Sequence, residues 1–315
     1  MPTSMLVGVF AALLAAFIWS LNFIVPFVIG PFSVFDFALI RFVAAGLVCA
    51  AFLLSKMDAL RSLTLQDWML TVYLGLIGYL GYFLALVGAA VYAGPVIAPA
   101  ILGLVPIVLG IAGNLRRRIV PWRALAMPLG LAFIGLLLVN VNSSDDAGSA
   151  RSVPEGVAFA VAAVALWTWF GLLNQSTLAR RPAMDASVWT ALIMTGAGVG
   201  MLAFAPVGFY LGVFKTSQLG FGWSIAAPLY IWGVTLGVSG SIGGALAWTV
   251  AAQRIPVSLA AQLVVMEAVF GAIVGLIVHK RWPTATEVAG MTVLIAGVVA
   301  GVRAFNSRPN LLPAA

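Results

Sequence analysis

An all-α integral membrane protein is the fold class this sequence predicts: ten transmembrane helices in two inverted five-helix repeats, with the N- and C-termini cytoplasmic. Three observations predict it. Of 315 residues, 63% are hydrophobic and only 8% charged, against about 25% charged in an ordinary soluble domain, so a water-exposed surface could not be hydrated. The apolar residues fall into runs near the ~20 that one helical crossing needs. Patterns in the first half of the chain return in the second.

The elements follow in order. The first run, Met5–Val28, has no charged start and is long enough to cross, so it reads as a span and not as a cleaved signal. Val34–Ser55, Gln66–Ala90, Gly94–Leu115 and Trp122–Val141 complete the first half. Glu155–Leu178, Asp185–Phe209, Ala226–Ala252, Pro256–Val278 and Thr284–Phe305 make the second. Polar or Pro/Gly breaks separate the runs. The shortest breaks are Ile29–Ser33, Val91–Ala93 and Gln253–Ile255, and they force antiparallel neighbours. Asn142–Pro154 and Tyr210–Ile225 are longer loops. In lipid every backbone amide must be bonded within its own segment, so the spans are helices.

Orientation follows from the basic residues. With the N-terminus inside, Lys56, Arg61, Arg116, Arg117, Arg118, Arg123, Arg180, Arg181, Arg254, Arg303 and Arg308 are cytoplasmic, and Arg151, Lys215, Lys280 and Arg281 are outside. The excess inside favours this placement. The net charge of +7 is therefore a membrane signature, and nucleic acid is excluded as a partner because no basic face adjoins a soluble module.

The repeat is visible in two segments, the first of which aligns without a gap. GVFAALLAAFIWS at 8–20 aligns with GVAFAVAAVALWT at 156–168, so Trp19 matches Trp167. GPVIAPAILGLVPIVLGIAG at 94–113 resembles IPVSLAAQLVVMEAVFGAIVG at 255–275, pairing Pro95 with Pro256, Pro106 with Glu267 and Gly110 with Gly271. Basic runs and then Pro121 and Pro283 follow each. The repeats are 1–150 and 151–315. Five helices per repeat turn the second copy upside down, which places a binding site near the midplane between them.

On Trp19, Pro95, Pro106, Glu267 and Gly271 in these contexts, the chain resembles the drug/metabolite transporter superfamily, and within it the EamA-type exporters. Its aromatic-rich helices resemble those of YddG-like aromatic amino acid exporters. The resemblance covers essentially the whole chain and implies a multi-pass protein of the cell inner membrane that exports small solutes. One departure stands out. Members often carry an acidic residue after the fourth helix of each half, where this chain has Arg116–Arg118 and His279–Arg281.

The candidate site follows from polar and aromatic groups within spans. Trp19 and Trp167 lie mid-span, where an indole N–H needs a protein partner or a polar cavity; Trp68, Trp122, Trp189, Trp223, Trp232 and Trp282 sit near span ends and read as an interfacial belt. Asn22 shares a helix face with Trp19, and Asn174 shares one with Trp167. Both, with Gln262, are either interhelical glue or ligand contacts. Ser239 and Ser241 are expected to bond their own helix. Glu267 is the clearest intramembrane carboxyl, a candidate for amine binding or proton relay, and Arg41 is expected to snorkel or to be structural. Tyr79, Tyr82, Phe83 and Leu86 form an aromatic stripe that is either core or pocket wall. Pro26 and Pro99 are candidate hinges. The pairs Gly233–Gly237, Gly271–Gly275 and Gly297–Gly301 allow close helix approach. Asn142-Ser143-Ser144 is a chance glycosylation pattern, and Asp145–Asp146 is solvated loop charge.

These features favour a secondary transporter. No GxxxxGK[ST] motif is present. One Cys and one His leave no disulfide and no metal or other cofactor. A lipid enzyme would need convergent carboxylates or histidines, and a channel a charged ring. The expected activity is outward transport of aromatic and bulky neutral amino acids, with hydrophobic drugs or other metabolites as the alternative and a pore as the reading from another class. The expected partners are the small-molecule substrate and membrane lipid, with a monomer as the unit. Proton coupling and facilitated efflux both remain open.

Overall fold

The computed structural model describes residues 3–117, 120–140, 152–278 and 280–306, with the backbone alone at 94–100, 117 and 140. The Asn142 motif, Asp145–Asp146, Arg118, His279, Arg151, Arg308 and the side chain of Pro99 lie outside this description. The described residues are helical and contain no strand. α1 runs Thr3–Ser20, tightens to a 3-10 turn at Leu21–Ile24 and ends as Val25–Val28. α2 is Val34–Leu54. α3 is Leu65–Gly75, a π segment Leu76–Gly81, then Tyr82–Leu102. α4 is Val105–Arg117, α5 Trp122–Asn140, α6 Val153–Ala179 and α7 Ala186–Tyr210. α8 is Trp223–Leu236, a π segment Gly237–Gly244, then Ala245–Arg254. α9 is Val257–Val264 and Met266–Val278, and α10 is Ala285–Asn306. Among the described residues, nine stretches are long and apolar enough to cross a membrane, and Val105–Arg116 is a shorter apolar helix.

One expected boundary moves. Val91–Ala93 is not a loop: α3 continues to Leu102, and the chain breaks at Gly103–Leu104 instead. The physical reason is Pro106, which cannot donate to the Leu102 carbonyl and crowds it with its ring. α9 breaks at Val265, and this lies 161 residues after Leu104. The two π segments also begin 161 residues apart. Discontinuities thus recur at matching places in the two halves of the chain.

Carboxylates hold the helix starts. Ser33 and Asp36 form a reciprocal capping box on α2, and Thr64 and Asp67 form another on α3. Thr284 and Glu287 bond each other in the same way at α10. Asp185 caps α7 through the backbone N–H groups of Ser187 and Val188. Each cap satisfies amides that have no helical partner.

Packing is closest where side chains are smallest. The strongest helix contacts of one half are matched in the other. α2 lies on α7, α4 on α9 and α5 on α10, while the later part of α3 lies on α6 as that of α8 lies on α1. At the α2–α7 crossing, a Cβ on Gly46 would sit 2.9 Å from Gly198 Cα, and the reverse holds. A Cβ on Gly237 would meet the Arg41 carbonyl at 2.9 Å.

Two outcomes test this frame. Gly46→Val should force α2 from α7 and cost about 1–3 kcal/mol, read as a lower Tm of the purified protein; an unchanged Tm would mean that the helices do not touch there. Asp185→Ala should cost about 1 kcal/mol. Hydrogen bonds from the Ser187 side chain and nearby amides hold the Asp185 carboxyl below the usual range, so its contribution is full above the unfolded-state pKa and disappears as pH falls through the folded one. The Tm difference between parent and variant should therefore shrink on acidification.

Candidate functional site

Six aromatic side chains from four helices meet in the middle of the bundle. Trp19 of α1 and Trp167 of α6 pack edge to face with ring centroids 5.3 Å apart. Tyr82 of α3 lies 4.9 Å from Trp167, Tyr79 lies 6.2 Å from it, and Phe170 lies 5.2 Å from it. Trp248 of α8 is 6.0 Å from both central indoles. The two sequence-matched tryptophans are therefore in contact, each 6% exposed. The Trp19 Nε1–H donates to the Gly240 carbonyl at 3.2 Å, inside the α8 π segment. A Cβ at Gly244 would fall 2.5 Å from that nitrogen, so glycine is what admits the indole. The matching π segment of α3 supplies Tyr79. Local widening of this kind is common at functional sites.

A polar group adjoins the aromatics. Arg41 Nε donates to Ser241 Oγ at 2.7 Å, and Nη1 donates to Asn22 Oδ1 at 2.6 Å. Asn22 is itself oriented by its Nδ2–H bond to the Trp19 carbonyl. Phe37, Phe42 and Phe83 ring the guanidinium at 5.5–6.0 Å. Glu267 lies in the first turn of the second piece of α9. It is half-buried and feels the charge of Arg41 without forming an ion pair with it. Asn22 is half-buried too. Groups so polar at mid-span are not expected to face lipid, and the second piece of α9 packs on the 3-10 turn of α1 that carries Asn22.

The other sequence candidates fall elsewhere. Asn174 is fully buried and accepts the Trp189 indole N–H at 2.8 Å. Trp189 is thus core, not belt: it is wholly buried and its polar atom is satisfied from within. Trp223 and Trp282 are exposed as a belt requires. Gln262 is enclosed between Gly110 and Gly301 with neither amide atom bonded. Phe83 packs on Phe42 and Arg41. Pro26 sits in the short helix that follows the 3-10 turn of α1. Ser239 bonds its own helix at Thr235, as expected, but Ser241 serves Arg41.

Sequence reasoning missed three participants. Arg41 does not snorkel: it is 5% exposed and held by α1 and α8. Its nearest acidic neighbour in sequence, Asp36, is instead used by Ser33 and by the Lys215–Thr216 turn. Trp248 and Phe170 complete the aromatic cluster. No spacing rule signals them, because their partners are distant in sequence.

One end of the site is sealed. Residues 255–265 are all buried. Gln175 donates to the Ile255 carbonyl and Gln253 to that of Met184, each at 2.8 Å. Buried polar atoms without partners occur here on Asn174, Ser258 and Gln262.

The fold of the described residues is that of a multi-pass helical membrane protein. Residues 6–141 match the EamA-like transporter family. Over 97% of its length the chain is 28% identical to the inner membrane protein YtfF of Escherichia coli (strain K12), covering 98% of that protein. A crystal structure of another protein, 18% identical, superposes with a TM-score of 0.73 over 97% of this chain and 98% of that one, a likeness of fold. The first half of the chain is thus similar to EamA-like transporters, and nearly the whole chain is similar to an inner membrane protein.

Gln262→Met removes two unpartnered polar atoms at similar volume. It should raise the stability of this conformer by about 1–3 kcal/mol, seen as a higher Tm. A lower Tm would reveal a partner for the amide.

Proposed function

We propose that this protein exports small amphipathic solutes, foremost aromatic and bulky neutral amino acids, by alternating access. The observation that carries the reading is the contact of Trp19 with Trp167 beside the half-buried Asn22 and Glu267. An aromatic wall built by both halves of the chain, next to a few polar anchors, suits a ligand with an apolar body and a polar end. In this reading the ligand ring stacks among Trp19, Tyr79, Tyr82 and Trp167, with Phe83 closing the side. Asn22 and Glu267 take its polar end.

The moving parts are residues 1–150 and 151–315, acting as inverted repeats that rock about the site, with both termini cytoplasmic. The matched helix contacts of the two halves and the discontinuities that recur at a 161-residue interval support this arrangement. Short helix pieces at α1 and α9, with Pro26 in one of them, are natural bending points. Asn174 and Gln262 lie in the sealed end, where they would line the path once that end opens. Glu267 carries either the substrate amine or a proton, and the pH response separates the two.

Transport into and out of proteoliposomes tests the proposal. Radiolabelled phenylalanine or tryptophan should move through the parent, and Trp19→Ala or Trp167→Ala should slow it at least tenfold. Each aromatic pair contributes about 0.5–1.5 kcal/mol beyond burial, and Trp167 makes several. Parent-like flux in both variants would remove the aromatic site. An imposed pH gradient should change the parent rate if Glu267 relays a proton, and Glu267→Gln should abolish that response.

A further inference from the structure

We infer that Arg41 is the receptor for a ligand carboxylate, with Ser241 beside it and Glu267 facing the ligand's ammonium group, so that the solute carried is a zwitterion. The inference rests on the reading of this site as the solute site, and it adds the charge state of the solute.

Charge balance makes the argument. A guanidinium has five N–H donors and no acceptor. At Arg41 two are used, by the neutral oxygens of Ser241 and Asn22. The second Nη1 hydrogen and both on Nη2 have no acceptor among the described residues. No carboxylate among those residues lies within ion-pair distance of Arg41 either. A buried charge is costly unless it is paired. The three phenyl rings around it attract the cation but do not neutralise it. Asp36, the acid on the same helix, is fully engaged by Ser33, Lys215 and Thr216.

The free edge of the fork lies beside a residue that has no side chain. Gly240 borders Nη2, where even a methyl group would stand only 3.4 Å away. Ser241 accepts from Nε, so its own hydroxyl hydrogen is free to donate. A carboxylate meeting Nη1 and Nη2 would make the bidentate contact for which the planar fork is suited. Ser241 would serve as a third donor.

Glu267 is the acidic group nearest this site along α9, in the first turn of its second piece. It interacts with Arg41 at a distance and with Tyr82, yet it does not close onto the guanidinium. A guanidinium and a carboxyl group beside an aromatic cluster suit the carboxylate, ammonium and side chain of an α-amino acid. The Trp19 indole is fixed to Gly240, next to Ser241, so a ligand seated on Arg41 has its side chain beside the rings.

The test is a tryptophan-fluorescence titration of the full chain in lipid nanodiscs. The ligands are phenylalanine, phenylalaninamide, phenethylamine and 3-phenylpropionate, and the proteins are the parent, Arg41→Gln and Arg41→Lys. Phenylalanine should bind the parent at least tenfold tighter than its amide or phenethylamine. Arg41→Gln should abolish that preference, and Arg41→Lys, which keeps charge but not the fork, should retain part of it. If Arg41→Gln does not fold, the parent's ligand ranking and Arg41→Lys decide. Equal binding of phenylalanine, amide and amine by the parent would overturn the carboxylate receptor while leaving the aromatic site standing. An unchanged preference in Arg41→Gln would overturn it as well. Arg41-dependent binding of 3-phenylpropionate without binding of phenylalanine would uphold the receptor and sink the amino acid reading. Silence with all four ligands would overturn both.

Discussion

A charged group deep in a lipid-embedded bundle has no water to turn to, and the arrangement of this protein's centre answers that problem at Arg41. The guanidinium belongs to α2, yet its bonds run to Asn22 of α1 and Ser241 of α8. Three helices are thereby registered at one point. Asn22 is held in turn by the carbonyl of Trp19, and the Trp19 indole is held by Gly240, next to Ser241. The polar anchor and the aromatic wall are therefore one hydrogen-bonded unit. A polar network of this kind specifies a single geometry when its members are satisfied.

The backbone of α8 makes the unit possible. Its π segment Gly237–Gly244 presents a carbonyl to Trp19 and a serine to Arg41, and its glycines let α2 and the indole approach. Cβ atoms at Gly237 and Gly244 would collide with the Arg41 carbonyl and with Trp19 Nε1. Without a hydrophobic driving force between helices in lipid, contact of this closeness and interhelical hydrogen bonds are what hold a bundle together. The same logic holds at Gly46 and Gly198, where α2 and α7 touch backbone to backbone.

The two ends of the site are not alike. The end near Arg254 is closed by side chain to backbone bonds and by eleven consecutive buried residues, 255–265. It also holds unpartnered polar atoms of Asn174, Ser258 and Gln262. Near Glu267 the residues are partly accessible. Polar atoms that lack partners when buried gain them when wetted, so burying these groups is costly in this conformer.

The helices, their number and the matching of Trp19 with Trp167 were legible from the sequence, because hydropathy runs and local identity are properties of contiguous residues. The S/T-x-x-D/E starts at Ser33, Thr64 and Thr284 were legible too, and went unread. What the sequence determined by itself is a ten-run helical membrane chain with a few mid-span polar groups, since lipid forces each backbone amide to bond within its own segment. Tertiary structure alone decided that Arg41 is central and not snorkelling, that Trp189 is core and that Asn174 is spent on it. It alone decided that α3 runs through Ala93 to Leu102. Those outcomes turn on partners 15 to 200 residues away or on where a proline ring meets a carbonyl, and no local period encodes either.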